Sequence, residues 1–300
     1  MIWITGCNGM LGTQLCLTLA EKKFNFVKTG REVDVTNFLE VESFGKKILS
    51  SGEKISFIIN CAAWTDVNGA ENEQEKALAL NEKAPENLAR FAKENKAVLI
   101  HISTDYIFDG NKISPYTEED KTCPVNFYGK SKSAGEEKVI ETTQQFYILR
   151  TSWLYGLYGK NFVCTMLSLM EKKSAIKVIN TQKGCPTSCT TLSNVIALIL
   201  EKKNVPFGIY NVTDSGEISW WDFAQEIKAS GIKLGILKNT NCKVEPCSSK
   251  EYFTPAKRPE YSVLSIEKIQ QALGIKMPYW KDSLMDFLKQ PFLKTKLTCL

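Results

Sequence analysis

Histidine is almost absent from this chain, which has one, His101, among 300 residues. This residue lies in the apolar run AVLIHIST, where we expect a strand residue whose ring is satisfied by its own hydrogen bonds. Histidine-based catalysis therefore has no second candidate in the sequence.

Long hydrophobic runs and clusters of positive charge are also missing. No run approaches the roughly 20 apolar residues that a membrane helix needs, and the opening MIWITGCNGML has no positively charged leader. We therefore expect a cytoplasmic protein with no membrane partner. The net charge is +5, but the lysines stand singly or in pairs among glutamates, so we expect no nucleic-acid partner.

The 10 cysteines do not form the framework of a disulfide-rich protein. They are spread along the chain, and several lie in apolar runs such as INCAAW, which indicates reduced core cysteines. Cys185 and Cys189, in CPTSC, are the nearest approach to a metal-binding pair, but their spacing is not the two-residue gap of zinc sites. No second pair of cysteines or histidines accompanies them in the sequence, so we predict no metal site.

The chain does contain short apolar runs that alternate with amphipathic stretches. MIWIT, FNFVKT, ISFIINCA, AVLIHIS and FYILRTSW are predicted strands. This alternation predicts an α/β fold, a Rossmann-type doubly wound parallel sheet whose strand carboxyl ends form one ligand-binding edge. The intervening helices are predicted over about residues 10–22, 37–49, 73–94 and 126–141.

After residue 155 the alternation weakens. We predict an NAD(P)-binding domain over residues 1–154, to which part of 184–203 returns, and a smaller substrate-binding lobe over 155–300. The lobe is predicted to contain the strands IKVIN and GIYNV, a polar loop VEPCSSKEYFTPAKRP, and helices over 161–171, 192–201 and 220–229.

The stretch TGCNGMLG carries Gly6, Gly9 and Gly12 between the first predicted strand and the first predicted helix. Glycines at this position let the amides of a helix N-terminus reach a pyrophosphate, because a side chain would block the approach. We predict a dinucleotide site here, with Met10 and Leu11 contributing backbone contacts. The alternative is an ordinary tight turn between a strand and a helix.

Positive charge follows the second predicted strand. A site for an unphosphorylated ribose would usually carry an acid there, whereas this chain offers Lys28 and Arg31, which favours NADPH over NADH. The alternative is a solvated surface pair. Asp34 and Val35 are predicted to meet the adenine ring. Small residues of NCAAWT, where the cofactor is predicted to pass, are Cys61, Ala62 and Ala63, followed by Thr65.

Tyr128 and Lys132 stand four residues apart in NFYGKSKSAGE. On a helix they would share one face, and a lysine near a phenol favours the phenolate and lowers the phenol pKa. Chance supplies roughly one such pair in a chain of this composition, so the spacing alone proves nothing. Its position is informative because Ser103, Thr104 and Asp105 end the preceding predicted strand, one connection earlier, at the same edge as the glycine turn.

Together these motifs resemble the extended short-chain dehydrogenase/reductases and, within them, the dTDP-4-dehydrorhamnose reductase family. The matching strings are STDYIFDG, YGKSKSAGE, RTSWLYG with GKNFV, VINTQKGCPT, GIYNVTDSGEISWWDFA and TPAKRPEYSVLS, in the expected order along nearly the whole chain. The resemblance implies reduction of the C4 ketone of a dTDP-4-keto-6-deoxyhexose, dTDP-4-dehydro-L-rhamnose, to dTDP-L-rhamnose with NADPH or NADH.

The resemblance also implies roles for single residues. Tyr128 is the expected proton donor, Lys132 its partner and the contact to the nicotinamide ribose, and Thr104 the hydroxyl that tunes the phenol. Residues expected to contact the nucleotide-sugar are Ser103, Thr104, Asp105, Tyr106, Trp153, Asn161 and Arg258.

Three departures qualify the resemblance. Met10 replaces a glutamine frequent in the family's glycine loop, and Asn68 replaces an acid in TDVNGAE. Some relatives form dimers through a metal bridged by carboxylates, but the start of the first helix offers none, so we expect a monomer or weak homodimer. Alternatives to a reductase are a non-catalytic regulatory subunit, which would lack catalytic residues, and an epimerase or dehydratase, which would retain a tightly bound NAD.

Overall fold

A computed structural model describes residues 1–202 and 204–291 of the chain. Its centre is a six-stranded sheet in which neighbouring strands are parallel, as the sequence predicts. The first half supplies five of these strands and the helices between them. In chain order these elements are β1 (Ile2–Thr5), α1 (Met10–Glu21), β2 (Phe26–Thr29), α2 (Phe38–Ser50), β3 (Phe57–Asn60), α3 (Gly69–Asn72), α4 (Gln74–Leu78), α5 (Ala84–Glu94), β4 (Val98–Thr104), α6 (Phe127–Thr142) and β5 (Phe146–Thr151).

The second half combines short strands with longer helices. Aromatic and aliphatic residues of three of the helices form a separate core beside the sheet. In chain order the elements are β6 (Leu154–Tyr155), α7 (Phe162–Lys172), β7 (Ala175–Ile179), β8 (Lys183–Gly184), β9 (Thr187–Ser188), α8 (Cys189–Glu201), β10 (Gly208–Asn211), β11 (Ile218–Ser219), α9 (Trp220–Lys233), β12 (Lys243–Cys247), α10 (Glu267–Leu273) and α11 (Trp280–Leu288).

The strands of the central sheet lie in the order β10-β5-β4-β3-β1-β2. Apolar side chains cover both faces, with α1 and α8 packed together on one face and α2, α5 and α6 on the other. The register pairs Thr5 with Asn60 and Asn60 with His101 across three adjacent strands. The loops that follow β1, β3 and β4 therefore leave the sheet at one edge.

Two segments of the second half differ from the prediction. The sequence predicts GIYNV in the smaller lobe, but its strand β10 pairs with β5 in the central sheet, so that prediction is wrong. VEPC, predicted as loop, forms most of β12, which pairs in parallel with β7. Pro246 is tolerated in β12 because a two-stranded sheet leaves each strand with a free edge, where a missing N–H costs little. The helices α10 and α11 were not predicted.

The helical stretch predicted over 73–94 is interrupted by a π-helical turn, Ala79–Lys83, between α4 and α5. This turn carries Asn81, whose buried amide accepts a hydrogen bond from the Trp64 amide at 2.9 Å and donates to Ser131 Oγ at 2.9 Å. It thereby connects the loop after β3 to α6. No helix in the described part of the chain is long and apolar enough to cross a membrane.

A buried ion pair connects α6 to the sheet. Arg150 Nη2 on β5 donates to a Glu136 carboxylate oxygen at 2.7 Å, and Arg150 Nε lies 3.1 and 3.2 Å from the two oxygens of the same carboxylate. Both side chains are only 3% exposed. Glu136 lies one helical turn after Lys132, so this pair holds the part of α6 that carries the predicted catalytic lysine.

We expect Glu136→Ala to lower the free energy of unfolding by about 3–5 kcal/mol, because it leaves the Arg150 guanidinium buried without a counter-charge. Urea unfolding measures this loss. Glu141→Ala is the matched control, since Glu141 lies on the same helix but forms an exposed pair with Lys138, and we expect a loss below about 1 kcal/mol. Equal losses in the two variants would contradict a structural role for the buried pair.

Candidate active site

A cleft of about 660 Å³ lies at the carboxyl edge of the sheet, between the sheet and segments of the second half. Most of the predicted site residues line this cleft. The predicted residues that line it are Gly9, Met10, Leu11, Cys61, Ala62, Ala63, Thr65, Ser103, Thr104, Asp105, Tyr106, Tyr128, Lys132 and Trp153.

The glycine turn is packed so tightly that side chains would not fit at two of its three glycines. Gly6 has a φ of +67°, and a Cβ there would lie 2.5 Å from the Ala62 amide nitrogen. A Cβ at Gly12 would overlap the carbonyl oxygen of Gly6. Gly9 is the N-cap of α1 and has no side chain to cover the first amides of the helix. This bare helix N-terminus at the cleft fits a dinucleotide pyrophosphate.

The residues predicted to bind the adenosine end lie beyond the cleft lining. Arg31 and Asp34 are exposed in the loop after β2, whereas Val35 is buried in the core. The Asp34 carboxylate accepts hydrogen bonds from the amide and the hydroxyl of Thr36. The loop after β2 contains a second acid, Glu32. Its carboxylate accepts a hydrogen bond from the Gly30 amide at 2.7 Å, and this bond lowers the Glu32 pKa. The roles of Arg31, Asp34 and Val35 stay predictions.

Thr104 and Tyr128 form the reacting end of the cleft. Thr104, the last residue of β4, donates from Oγ1 to Asp105 Oδ1 at 3.0 Å and accepts from the Tyr106 amide at 3.2 Å. Tyr128 lies in the first turn of α6, which Asn126 caps by accepting from the Gly129 amide at 2.8 Å. The Tyr128 ring meets the Tyr106 ring edge-on, with centroids 6.0 Å apart. The end of β4 and the start of α6 thus bring the Thr104 hydroxyl and the Tyr128 phenol together.

The pKa of Tyr128 differs from our expectation. Burial raises the pKa of Tyr128 to about 12, and a hydrogen bond with Thr104 offsets only part of this effect. We expected a phenol pKa below its usual value, but the net shift is upward because burial outweighs the hydrogen bond that lowers the pKa. A raised pKa keeps the phenol protonated at neutral pH, which is the form that a proton donor requires.

Lys132 is almost fully buried, with 2% exposure. Its Nζ donates to the carbonyl oxygen of Ile102 at 2.6 Å and lies 3.4 Å from Nε2 of His101. Burial lowers the pKa of Lys132 to about 8, against the opposing effects of Glu136 and Cys61. The amine is therefore held against β4, and near neutral pH it can exist in both protonation states.

Three buried oxygens at the cleft have no hydrogen-bond partner within the described part of the protein. They are Ser103 Oγ, Asp105 Oδ2 and Thr151 Oγ1. Burial raises the pKa of Asp105 to about 7, despite the hydrogen bonds that lower it. Because buried polar atoms are normally paired, these three suit a ligand rich in hydroxyl groups.

Two tryptophans from distant parts of the chain stack at the cleft. Trp153, after β5, has a φ of +46° and stacks on Trp220, the first residue of α9, with ring centroids 3.5 Å apart. Sequence reasoning missed Trp220, although it is the first tryptophan of the WW pair in the string GEISWWDFA. Its position shows that the second half contributes an aromatic wall to the site.

Asn161 and Arg258 lie outside the cleft lining. Asn161 caps α7 by accepting from the Cys164 amide, and its Nδ2 donates to the carbonyl oxygen of Gly156 at 2.7 Å. Arg258 donates from Nη2 to Asn68 Oδ1 at 3.2 Å, and its charge opposes the rise that burial causes in the Tyr106 pKa. Arg258 also lines a second cleft of about 510 Å³ that the loop before it forms. Their contacts with a substrate stay predictions.

Comparison with known proteins identifies the family. A model described as the RmlD substrate binding domain matches residues 1–292. The dTDP-4-dehydrorhamnose reductase of Aggregatibacter actinomycetemcomitans is 38% identical over 289 residues, which cover 94% of this chain and 96% of that protein. The chain belongs to the dTDP-4-dehydrorhamnose reductase family.

Solved structures of the dTDP-4-dehydrorhamnose reductase family agree with this. A crystal structure from Clostridium acetobutylicum superposes with a TM-score of 0.88 at 38% identity and covers 96% of this chain and 98% of that one. A second, from Bacillus anthracis in complex with NADP, gives 0.87 at 35% identity, covering 95% and 97%. The predicted family, the Rossmann-type fold and the oxidoreductase class are confirmed.

Two departures from the family pattern have structural consequences in this chain. Met10 opens α1, and its side chain lies against Gly156 and Gly159 of the second half. Asn68 Oδ1 accepts a hydrogen bond from Arg258 Nη2 at 3.2 Å. Within the described residues there is no group of three or more histidine, cysteine or acidic side chains that could hold a metal ion.

Substitutions in the glycine turn test its role. We expect Gly12→Ala to cost about 1–3 kcal/mol of unfolding free energy and to weaken dinucleotide binding strongly, because its Cβ meets backbone atoms that cannot move aside easily. In Gly9→Ala the new Cβ would lie 3.3 Å from the Gly6 oxygen, a tight contact that a small shift relieves, so we expect a smaller loss of stability than in Gly12→Ala. Urea unfolding and fluorescence titration with NADPH measure the two effects. Equal stability of the two variants would contradict the packing argument.

Proposed function

We propose that this protein reduces the C4 ketone of dTDP-4-dehydro-L-rhamnose to dTDP-L-rhamnose with NADPH, as a step in nucleotide-sugar supply for polysaccharides. The observation that carries the proposal is the meeting of Thr104, Tyr128 and Lys132 in one cleft with the glycine turn. A relative that had lost catalysis would not be expected to keep all three. NADH is the second possible cofactor.

The glycine turn and the residues after β3 are proposed to bind the cofactor. The N-terminus of α1 would bind the pyrophosphate, and Ala62 and Ala63 would lie beside the cofactor. Lys132 would bind the nicotinamide ribose. Arg31 is exposed at the adenosine end and would pair with a 2′-phosphate. Bound NADPH supplies the hydride that C4 of the sugar receives.

Tyr128 is proposed to supply the proton. With its pKa raised to about 12, the phenol is protonated at neutral pH and donates to the ketone oxygen as that oxygen gains negative charge. The Thr104 hydroxyl forms a hydrogen bond with the phenol and so orients Tyr128. A protonated Lys132 then favours the phenolate that remains after the transfer.

The sugar and nucleotide are proposed to lie between the two halves. Ser103 Oγ and Asp105 Oδ2 are buried oxygens with free hydrogen-bonding capacity for sugar hydroxyls, and the stacked Trp153 gives the sugar an apolar wall. Tyr106 connects this region to Arg258, which would pair with the pyrophosphate. We propose a cofactor domain over residues 1–154, to which part of 184–203 and the strand β10 return, and a substrate lobe formed by the rest of 155–300.

The dTDP-sugar is the proposed partner, and we propose that the protein works in the cytoplasm as a monomer or weak homodimer. No nucleic-acid partner is part of the proposal, because the charge of the chain is dispersed.

Tyr128→Phe removes the proton donor and keeps the ring. We expect kcat/KM for NADPH oxidation with dTDP-4-dehydro-L-rhamnose to fall by about 10²- to 10⁴-fold, with little change in NADPH affinity. Tyr210→Phe is the control, because the Tyr210 hydroxyl bonds to the Pro206 carbonyl away from the cleft. Unchanged turnover in Tyr128→Phe would exclude the proposed acid. Purification with tightly bound NAD, which exchanges slowly, would point instead to an epimerase or dehydratase.

Arg31→Ala tests recognition of the 2′-phosphate. We expect it to weaken NADPH binding by about tenfold and to leave NADH binding nearly unchanged, because only NADPH carries the group that a guanidinium would pair with. Titration of cofactor fluorescence measures both affinities. Arg90→Ala, which removes an exposed arginine paired with Glu94 on α5, is the control. Equal effects on NADPH and NADH would remove the argument for phosphate recognition.

A further inference from the structure

The single histidine of the chain lies directly behind the catalytic lysine. Thr5, Asn60 and His101 are register neighbours on β1, β3 and β4, and they form a polar row across the face of the sheet that α6 covers. All three are at most 1% exposed. The row ends at Lys132, whose Nζ lies 3.4 Å from His101 Nε2.

The orientation of the Asn60 amide follows from its neighbours. Its Oδ1 lies 3.1 Å from the backbone nitrogen of Ala62, which can only donate, and it also accepts from Thr5 Oγ1 at 2.9 Å. A flipped amide would put two donors against each other at Ala62. The Nδ2 group of Asn60 therefore faces His101 Nδ1, at 3.1 Å.

This orientation determines the tautomer of His101. Because Nδ2 of Asn60 can only donate, Nδ1 of the imidazole must accept, and the proton of the neutral ring lies on Nε2. Burial, and then the charge of Lys132, hold the pKa of His101 well below its usual value, so the ring is neutral. The Nε2–H bond consequently points at the lysine nitrogen.

We propose that His101 is a positioning residue for Lys132: its Nε2–H, locked by Thr5, Asn60 and the Ala62 amide, faces the lysine nitrogen and disfavours the ammonium form. A neutral lysine accepts this hydrogen, whereas an ammonium group meets it donor to donor. The tautomer stands on contacts alone. Its consequence for the reaction rests on the proposed function, in which Lys132 acts on Tyr128.

Other groups around Lys132 act in the opposite direction. The Ile102 carbonyl accepts from Nζ, and both Glu136 on the same helix and Cys61 after β3 favour the charged form. The effect of Glu136 is moderated because its carboxylate is paired with Arg150 on β5. His101 on β4 thus counterbalances the groups that favour the lysine charge, and the amine is able to give and take a proton during turnover.

The tautomer can be measured without any activity assay. Since the chain has one histidine, protein free of a histidine tag and labelled with ¹⁵N-histidine gives one pair of ring-nitrogen signals. We expect the Nε2–H pattern, unchanged from about pH 6 to about pH 9. In Asn60→Asp the new carboxylate can accept from the ring, so the pattern should change to Nδ1–H. An Nδ1–H ring in the wild type, exchange between tautomers, or titration near pH 6.5 would overturn the inference.

The effect on Lys132 is measured by the pH dependence of kcat/KM, which should fall at alkaline pH as the lysine loses its proton. In His101→Gln the amide oxygen can accept from the ammonium group, so we expect the alkaline limb to move upward by about half to one pH unit. Ile100→Val, a small core change on the same strand, should leave the limb in place. An unmoved or lowered limb in His101→Gln would show that the histidine does not act on Lys132.

The two experiments separate this inference from the proposed function. If the wild type does not reduce the keto-sugar, the proposed function fails while the ring-nitrogen spectrum still decides the tautomer. If His101→Gln does not fold, the spectra of the wild type and of Asn60→Asp still decide the tautomer on which the role of His101 depends. If Tyr128→Phe loses activity as expected but the wild-type ring carries its proton on Nδ1, the role of His101 is rejected and the proposed function stands.

Discussion

Parallel pairing of the central strands is the constraint on which the site depends. Because every pairing in the six-stranded sheet runs in one direction, the chain leaves β1, β3 and β4 at the same edge. The glycine turn, the small residues after Asn60 and the polar residues around Thr104 are all found there. α6 begins at this edge as well, so its first turns bring Tyr128 and Lys132 to it.

Much of this arrangement could be predicted because it is encoded locally. Apolar runs and glycine spacing indicate strands, helices and their order, and a parallel sheet then places the loops. Contacts between distant segments could not be predicted in this way. β10 was recognised as a strand, but its pairing with β5 depends on a partner about 60 residues earlier. β12 contains Pro246, which weakens a strand pattern. The sequence does not show that Trp220 belongs to the site, since its stacking on Trp153 exists only in the folded chain.

Burial gives the titratable groups in and behind the cleft a common property. It raises the pKa of Tyr128 and Asp105 and lowers that of Lys132 and His101, so each shift favours the neutral form. Charge that develops on a ketone oxygen would then appear in surroundings of low dielectric constant, where each nearby donor acts strongly. The Glu136–Arg150 pair beside the cleft is charged but mutually compensated, so it stabilises α6 without adding a net charge to the site.

The packing of α6 has a consequence for how the catalytic residues are held in place. Its buried face is mostly small or polar, and added side chains at Gly129 and Gly135 would overlap the carbonyl oxygens of Tyr106 and Asn81. A helix with so little apolar surface gains little from hydrophobic collapse and is marginal in isolation. It packs against several elements, among them α5, β4, β5 and the π-helical turn. The position of the acid therefore depends on the completed fold, because α6 has little apolar surface of its own to hold it in place.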